Sequence, residues 1–69
     1  MKTINTENLI VGKKYYLLSM PDDIFEFVEY DEDRDPLFKP IQGNYWSVGS
    51  KGLIPFFGKY HIFIEVEEN

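Results

Sequence analysis

The run Lys13-Lys14-Tyr15-Tyr16-Leu17-Leu18-Ser19-Met20-Pro21-Asp22-Asp23-Ile24-Phe25-Glu26-Phe27-Val28-Glu29-Tyr30 reads as strand, turn, strand. Lys13–Ser19 is rich in strand-forming residues. Pro21 has no amide to give to a ladder, and Asp22 and Asp23 favour turns, so a break is expected over Met20–Asp23. From Ile24 the pattern alternates again. Phe25 and Phe27 fall on one face, and Glu26, Val28 and Tyr30 on the other.

Downstream the same grammar repeats. Asp31–Pro36 is a charged loop, and Leu37–Ile41 a short strand that Pro40 is expected either to place at an edge or to end. Gln42-Gly43-Asn44 turns into a strand at Tyr45–Val48, and Gly49–Gly52 is a tight connection. Leu53–Phe57 follows, then a turn at Gly58-Lys59. The last strand, Tyr60–Val66, puts Tyr60, Ile62, Ile64 and Val66 on one face and His61, Phe63 and Glu65 on the other. Upstream, the only helical signal is a short turn over Thr6–Leu9, with Thr6 as its cap and Gly12 as its stop. Five or six short strands with close turns predict an all-β protein. The expected form is a small five-stranded, partly open barrel occupying residues 1–69 as one domain.

A chain of 69 residues has little interior to work with, and it contains no cysteine to staple it. Disulfides, thiolate metal sites and a cysteine nucleophile are thereby excluded. A small secreted domain would lean on disulfides, so a reducing, cytoplasmic setting is expected. MKTINTENLI, at the start, has neither the apolar run of a signal peptide nor that of a membrane span. Aromatic residues compensate: five Tyr, six Phe and Trp46 make up 17% of the chain. Each buried ring removes about 150–250 Å² from water, so most of them are expected to form the core.

Asn8-Leu9-Ile10-Val11-Gly12-Lys13-Lys14-Tyr15 resembles the start of small barrels of the Src-homology-3-like type, where a Val-Gly pair precedes a first strand containing Lys and Tyr. The compact, acidic, aromatic-rich chain also resembles small accessory proteins of bacteria and their phages. The resemblance implies a fold and a setting. It transfers no catalytic or ligand residue.

Charge is distributed unevenly. Eight of the twelve acidic residues lie in Asp22–Asp35, offset there only by Arg34, against a net charge of −5 for the whole chain. Such a field attracts cations or basic protein surfaces. Direct nucleic-acid binding needs a basic stripe to neutralise phosphates, and seven scattered Lys and Arg do not provide one.

Individual motifs argue against catalysis and resident cofactors. Asp31-Glu32-Asp33-Arg34-Asp35 opens like a calcium loop, but the sixth and twelfth positions hold Pro36 and Gln42 where Gly and Glu are required. Gly43–Lys51 has five residues between its glycines, and Ser50 precedes Lys51, so it is not a phosphate loop. Gly49-x-x-Gly52 reads as a hairpin turn. His61 is the single histidine, too few for a usual zinc set, and Ser19, Ser47 and Ser50 lack an elbow motif.

What remains is recognition. The expected function is a non-catalytic module that offers Glu29, Tyr30, Asp31, Glu32, Asp33 and Asp35 to a basic protein partner, with Tyr30 and Tyr45 as aromatic anchors. Trp46, next to Tyr45, is expected in the core. In a phage setting the partner would be a host nucleic-acid-processing or defence protein to be inhibited. Two alternatives stand beside it. One is sequestration of a nucleotide-like ligand by aromatic faces with Lys13, Lys14, Lys51 or Lys59. The other is a structural subunit, or a homodimer, that uses the apolar Leu53–Phe57 edge.

Overall fold

A computed structural model describes residues 2–43, 52–57 and 61–67. Its strands are β1 (Thr3–Asn5), β2 (Lys14–Leu17), β3 (Met20–Tyr30), β4 (Pro36–Gln42), β5 (Ile54–Pro55) and β6 (Ile62–Glu65), with one 3-10 turn at Thr6–Asn8. They form one open antiparallel sheet in the order β1-β6-β2-β3-β4-β5. The protein is therefore all-β, in a six-stranded sheet where a five-stranded barrel was expected. The expected strand at Tyr45–Val48, the anchor Tyr45, the core residue Trp46 and the turn at Gly58-Lys59 lie outside the described residues. Among those residues, no helix is long and apolar enough to cross a membrane.

The break between β2 and β3 comes earlier than the composition suggests. Leu17 pairs with Met20, so Leu18-Ser19 is a two-residue hairpin turn and Met20–Asp23 belongs to the strand. Pro21 is tolerated because the β2–β3 register jumps from Leu17↔Met20 to Tyr15↔Phe25, which leaves Pro21 out of that ladder. A missing amide costs nothing where no ladder bond is due.

One side of the sheet carries the core. Leu9, Tyr15, Leu17, Phe25, Phe27, Phe38, Ile54 and Phe63 are buried together, with Ile4, Met20, Tyr30 and Phe56 packed against them. Alternation explains the choice: on β4, Pro36 and Phe38 face inward while Lys39 faces water. Phe38 is the centre of the ring cluster. Its centroid lies 5.1 Å from Phe63, 5.2 Å from Phe56, 5.6 Å from Phe27, 5.7 Å from Phe25 and 6.5 Å from Tyr15. On β6, Phe63 joins this cluster. Ile64, on the opposite face, is also buried, whereas Ile62 on that face is open to solvent.

Two bulges re-aim side chains. Phe27 pairs with Phe38 and Glu29 with Leu37, so Val28 is an extra residue on β3. Beyond it the alternation is reversed. Tyr30 was expected on the face opposite Phe25 and Phe27, yet it packs its ring 4.8 Å from that of Phe27 and against the core. The second bulge, at Ile41 on β4, lies between the Phe25↔Pro40 and Ile24↔Gln42 pairs.

Phe38→Ala should remove about 3–5 kcal/mol, as truncations of buried Phe do. A domain of this size holds only about 3–10 kcal/mol in total. Urea unfolding of Phe38→Ala should find it largely unfolded without denaturant, while Phe38→Leu stays folded with a lowered midpoint.

Candidate functional site: the arch and the acidic hairpin

β6 lies between β1 and β2. β1 and β2 each pair antiparallel with β6, so they run parallel to each other: Asn5 ends β1 opposite Ile62, and Tyr15 near the start of β2 lies opposite Glu65. The connection between them, residues 6–13, must therefore pass over a face of the sheet from one end of β6 to the other, and it does so as an arch. Its polar groups need partners along the way. Thr6 Oγ1 donates to the His61 carbonyl at 3.3 Å. Leu9 N donates to Tyr30 Oη at 3.2 Å, and Tyr30 Oη donates to the Thr6 carbonyl at 2.6 Å. Ile10 N donates to Tyr15 Oη at 2.9 Å, and Gly12 N, at φ 87°, donates to the Phe27 carbonyl at 2.9 Å. Leu9 then plugs into the core.

The helical turn expected at Thr6–Leu9 is thus present as a 3-10 turn over Thr6–Asn8, but Thr6 does not cap it. Asn5 holds the cap position without a side-chain bond, and the buried Thr6 hydroxyl faces β6 instead. His61 has a structural place. Its Nε2 lies 2.7 Å from the Phe57 carbonyl, a pairing in which the ring nitrogen carries the proton, and its ring meets Phe56 and Phe63.

Tyr30 opens the acidic hairpin as well as pinning the arch. The loop Asp31–Asp35 joins β3 to β4 and folds around one carboxylate. Asp31 Oδ1 accepts from the amides of Asp33 and Asp35, each at 2.9 Å. The main chain closes through Asp31 N to the Asp35 carbonyl and Arg34 N to the Asp31 carbonyl. Arg34 sits at φ 64°, a left-handed conformation that costs an L-residue roughly 1–2 kcal/mol. Carboxylate oxygens of Asp31, Asp33 and Asp35 come within 4.8 Å of one another. The calcium-loop pattern stops there. Its twelfth position, Gln42, lies at the far end of β4, paired with Ile24 and donating to the Asp22 carbonyl.

The structure divides the acidic stretch. Asp22 and Asp23 stand near the start of β3 and the loop at its end. Eight residues at about 3.3 Å each put roughly 25 Å between Asp23 and Asp31, well beyond a screening length of about 8–10 Å. Glu29, Asp31, Glu32, Asp33 and Asp35 are brought together by chain proximity, and Glu29, Glu32 and Asp33 are exposed. Tyr30 is half-buried with its hydroxyl engaged, so it is a poorer free anchor than expected. Glu7, to which the sequence pattern assigns no role, shares a cleft of about 350 Å³ with Tyr30, Asp31 and Arg34. No spacing in the chain pairs Glu7 with Asp31; the arch does.

The alternative sites are less assembled. Lys13 is exposed and Lys14 half-buried on β2, while Lys51 and Lys59 lie outside the described residues. The Leu53–Phe57 segment forms the edge strand β5, but Ile54 is buried and Phe56 packs on the core, leaving Phe57 as its exposed ring.

No protein-family model matches the chain, and comparison with curated proteins and with solved structures finds no match.

Burial holds the Tyr30 phenol above its usual pKa of 10.0; the Leu9 amide opposes this, and the nearby Tyr15 and Glu7 add to it. The neutral phenol is the form that donates to Thr6. Tyr30→Phe should cost about 1–2 kcal/mol by removing the hydroxyl that bonds both Leu9 N and the Thr6 carbonyl. It should also speed hydrogen exchange at Leu9. Because the folded pKa is raised, the unfolded chain loses this proton first. The advantage of the native tyrosine over the phenylalanine variant is therefore complete below pH 10 and shrinks as pH rises through the folded-state value. Urea titrations of both proteins from pH 8 upward check the sign.

Proposed function

We propose that the protein is a non-catalytic binding module whose acidic hairpin engages a basic surface on a protein partner. The observation that carries this reading is the hairpin itself. Four carboxylates against one guanidinium are held in a hydrogen-bonded loop at the end of β3. A preformed loop loses little conformational entropy on binding. Its rim charges would steer encounter, raising the association rate more than the affinity, with strong salt dependence. A sheet gathered around one ring cluster is compatible with a small Src-homology-3-like barrel, and closure of that barrel belongs to this proposal. So do a cytoplasmic location and a phage-type role as inhibitor of a host nucleic-acid-processing or defence protein. The exposed Phe57, two residues beyond the edge strand β5, supports homodimerisation as a secondary property.

The test is affinity capture from host lysate with the native protein and with a Glu32→Gln, Asp33→Asn, Asp35→Asn triple variant. Asp31 is kept because its carboxylate holds the loop. Retained proteins should include a basic partner whose capture falls several-fold in the triple variant and in high salt. Equal capture by both proteins at every salt concentration overturns the reading.

A further inference from the structure

The cleft lined by Glu7, Tyr30, Asp31 and Arg34 adjoins a second, of about 460 Å³, lined by Asn5, Thr6, Glu7 and Arg34. Glu7 and Arg34 line both, so the two form one groove between the arch and the hairpin. Its carboxylates come from different elements, Glu7 from the 3-10 turn and Asp31 from the loop. Among the described residues, neither Glu7 nor Arg34 makes an ion pair. Asp31 spends Oδ1 on two backbone amides, and among the described residues its Oδ2 accepts no hydrogen bond. Tyr30 is held from behind: its ring packs on Phe27 and its hydroxyl is tied to the arch.

Resting on the acidic-surface reading above, we propose that this groove receives one arginine or lysine side chain of the protein partner. Its cation would sit between Glu7 and Asp31, and its aliphatic stem would cross the Tyr30 ring. Two carboxylates brought to one cleft from separate elements would define a position for a cation, which a single solvated acidic loop does not. An aromatic ring beside them adds attraction for the same charge. Arg34 is the groove's own cation and competes with the incoming one. Arginine fits better than lysine, because its planar fork can address both carboxylates at once.

The test is an NMR titration with an end-capped Gly-Arg-Gly peptide and its citrulline counterpart, which keeps the shape and removes the charge. The arginine peptide should give saturable shifts centred on Glu7, Tyr30 and Arg34, and the citrulline peptide none. Glu7→Gln should weaken binding about three- to five-fold, on the scale of a well-placed ion pair. Arg34→Asn, which tolerates the left-handed backbone, should tighten it about two-fold or more. Unperturbed amide spectra of both variants verify the fold. Absence of saturable shifts, equal binding of the citrulline peptide, or unchanged affinity in both variants overturns the groove. The Glu32/Asp33/Asp35 triple variant separates the two readings. If it loses the captured partner while Glu7→Gln retains it, the acidic hairpin stands and the groove falls. If neither loses it, both fall.

Discussion

The insertion of β6 between β1 and β2 is the constraint from which the site follows. It forces residues 6–13 to cross a face of the sheet between two parallel strands, where the amides of Leu9 and Ile10 have no neighbouring strand to pair with. Two tyrosine hydroxyls rising from the sheet supply what the ladder cannot. Tyr15 and Tyr30 are for this reason not interchangeable with phenylalanine, although both rings lie in or against the core. A consequence of the crossing is positional. It sets Glu7, on the arch, beside a hairpin that begins some two dozen residues later in the chain.

The interior beneath the arch is built from rings because the chain is too short to build it otherwise. Phe38 touches five other aromatic side chains, so one β4 residue links β2, β3 and β6 with the Phe56 that follows β5. Edge-on and tilted contacts dominate, and Phe63 alone stacks on Phe38 at 29°. The bulge at Val28 then decides what that core offers to the surface. With regular pairing Tyr30 would face away from Phe27 and could not reach Thr6. One extra residue turns it inward and leaves Glu29 exposed next to it.

Much of the fold was legible where period two ran for several residues. Phe25 and Phe27 came out together on the core side, as their shared face in the alternation allowed, and the charged loop fell between the strands it was expected to join. On β6 the alternation separated the two faces without saying that the one with Phe63 would join the ring cluster. Three features were not legible, each for a physical reason. Three residues, Thr3–Asn5, show no period at all, and β1 exists because of pairing with β6 some sixty residues away. Pro21 and two aspartates look like a turn, but they are tolerated in a strand when the ladder skips them. A bulge leaves no mark in composition, so plain alternation puts Tyr30 on the wrong side. Of the candidate site, the hairpin carboxylates could be read from their density. Glu7 could not, because only the topology of the sheet brings it there.

Counting charge along the chain also overstates the field at the hairpin. Asp22 and Asp23 add two negative charges to the acidic stretch but stand at the other end of β3. At a screening length of about 8 Å, a charge placed at the hairpin would scarcely sense them. It would meet Glu7, the four loop carboxylates and Arg34 at close range. Over such distances the placement of each charge outweighs their sum. A carboxylate turned toward the groove and one turned toward bulk water contribute equally to net charge, yet they differ in what they can hold. In the proposed recognition the arch would therefore bear on the outcome as much as the acidic hairpin, because it fixes one side of the space between Glu7 and Asp31.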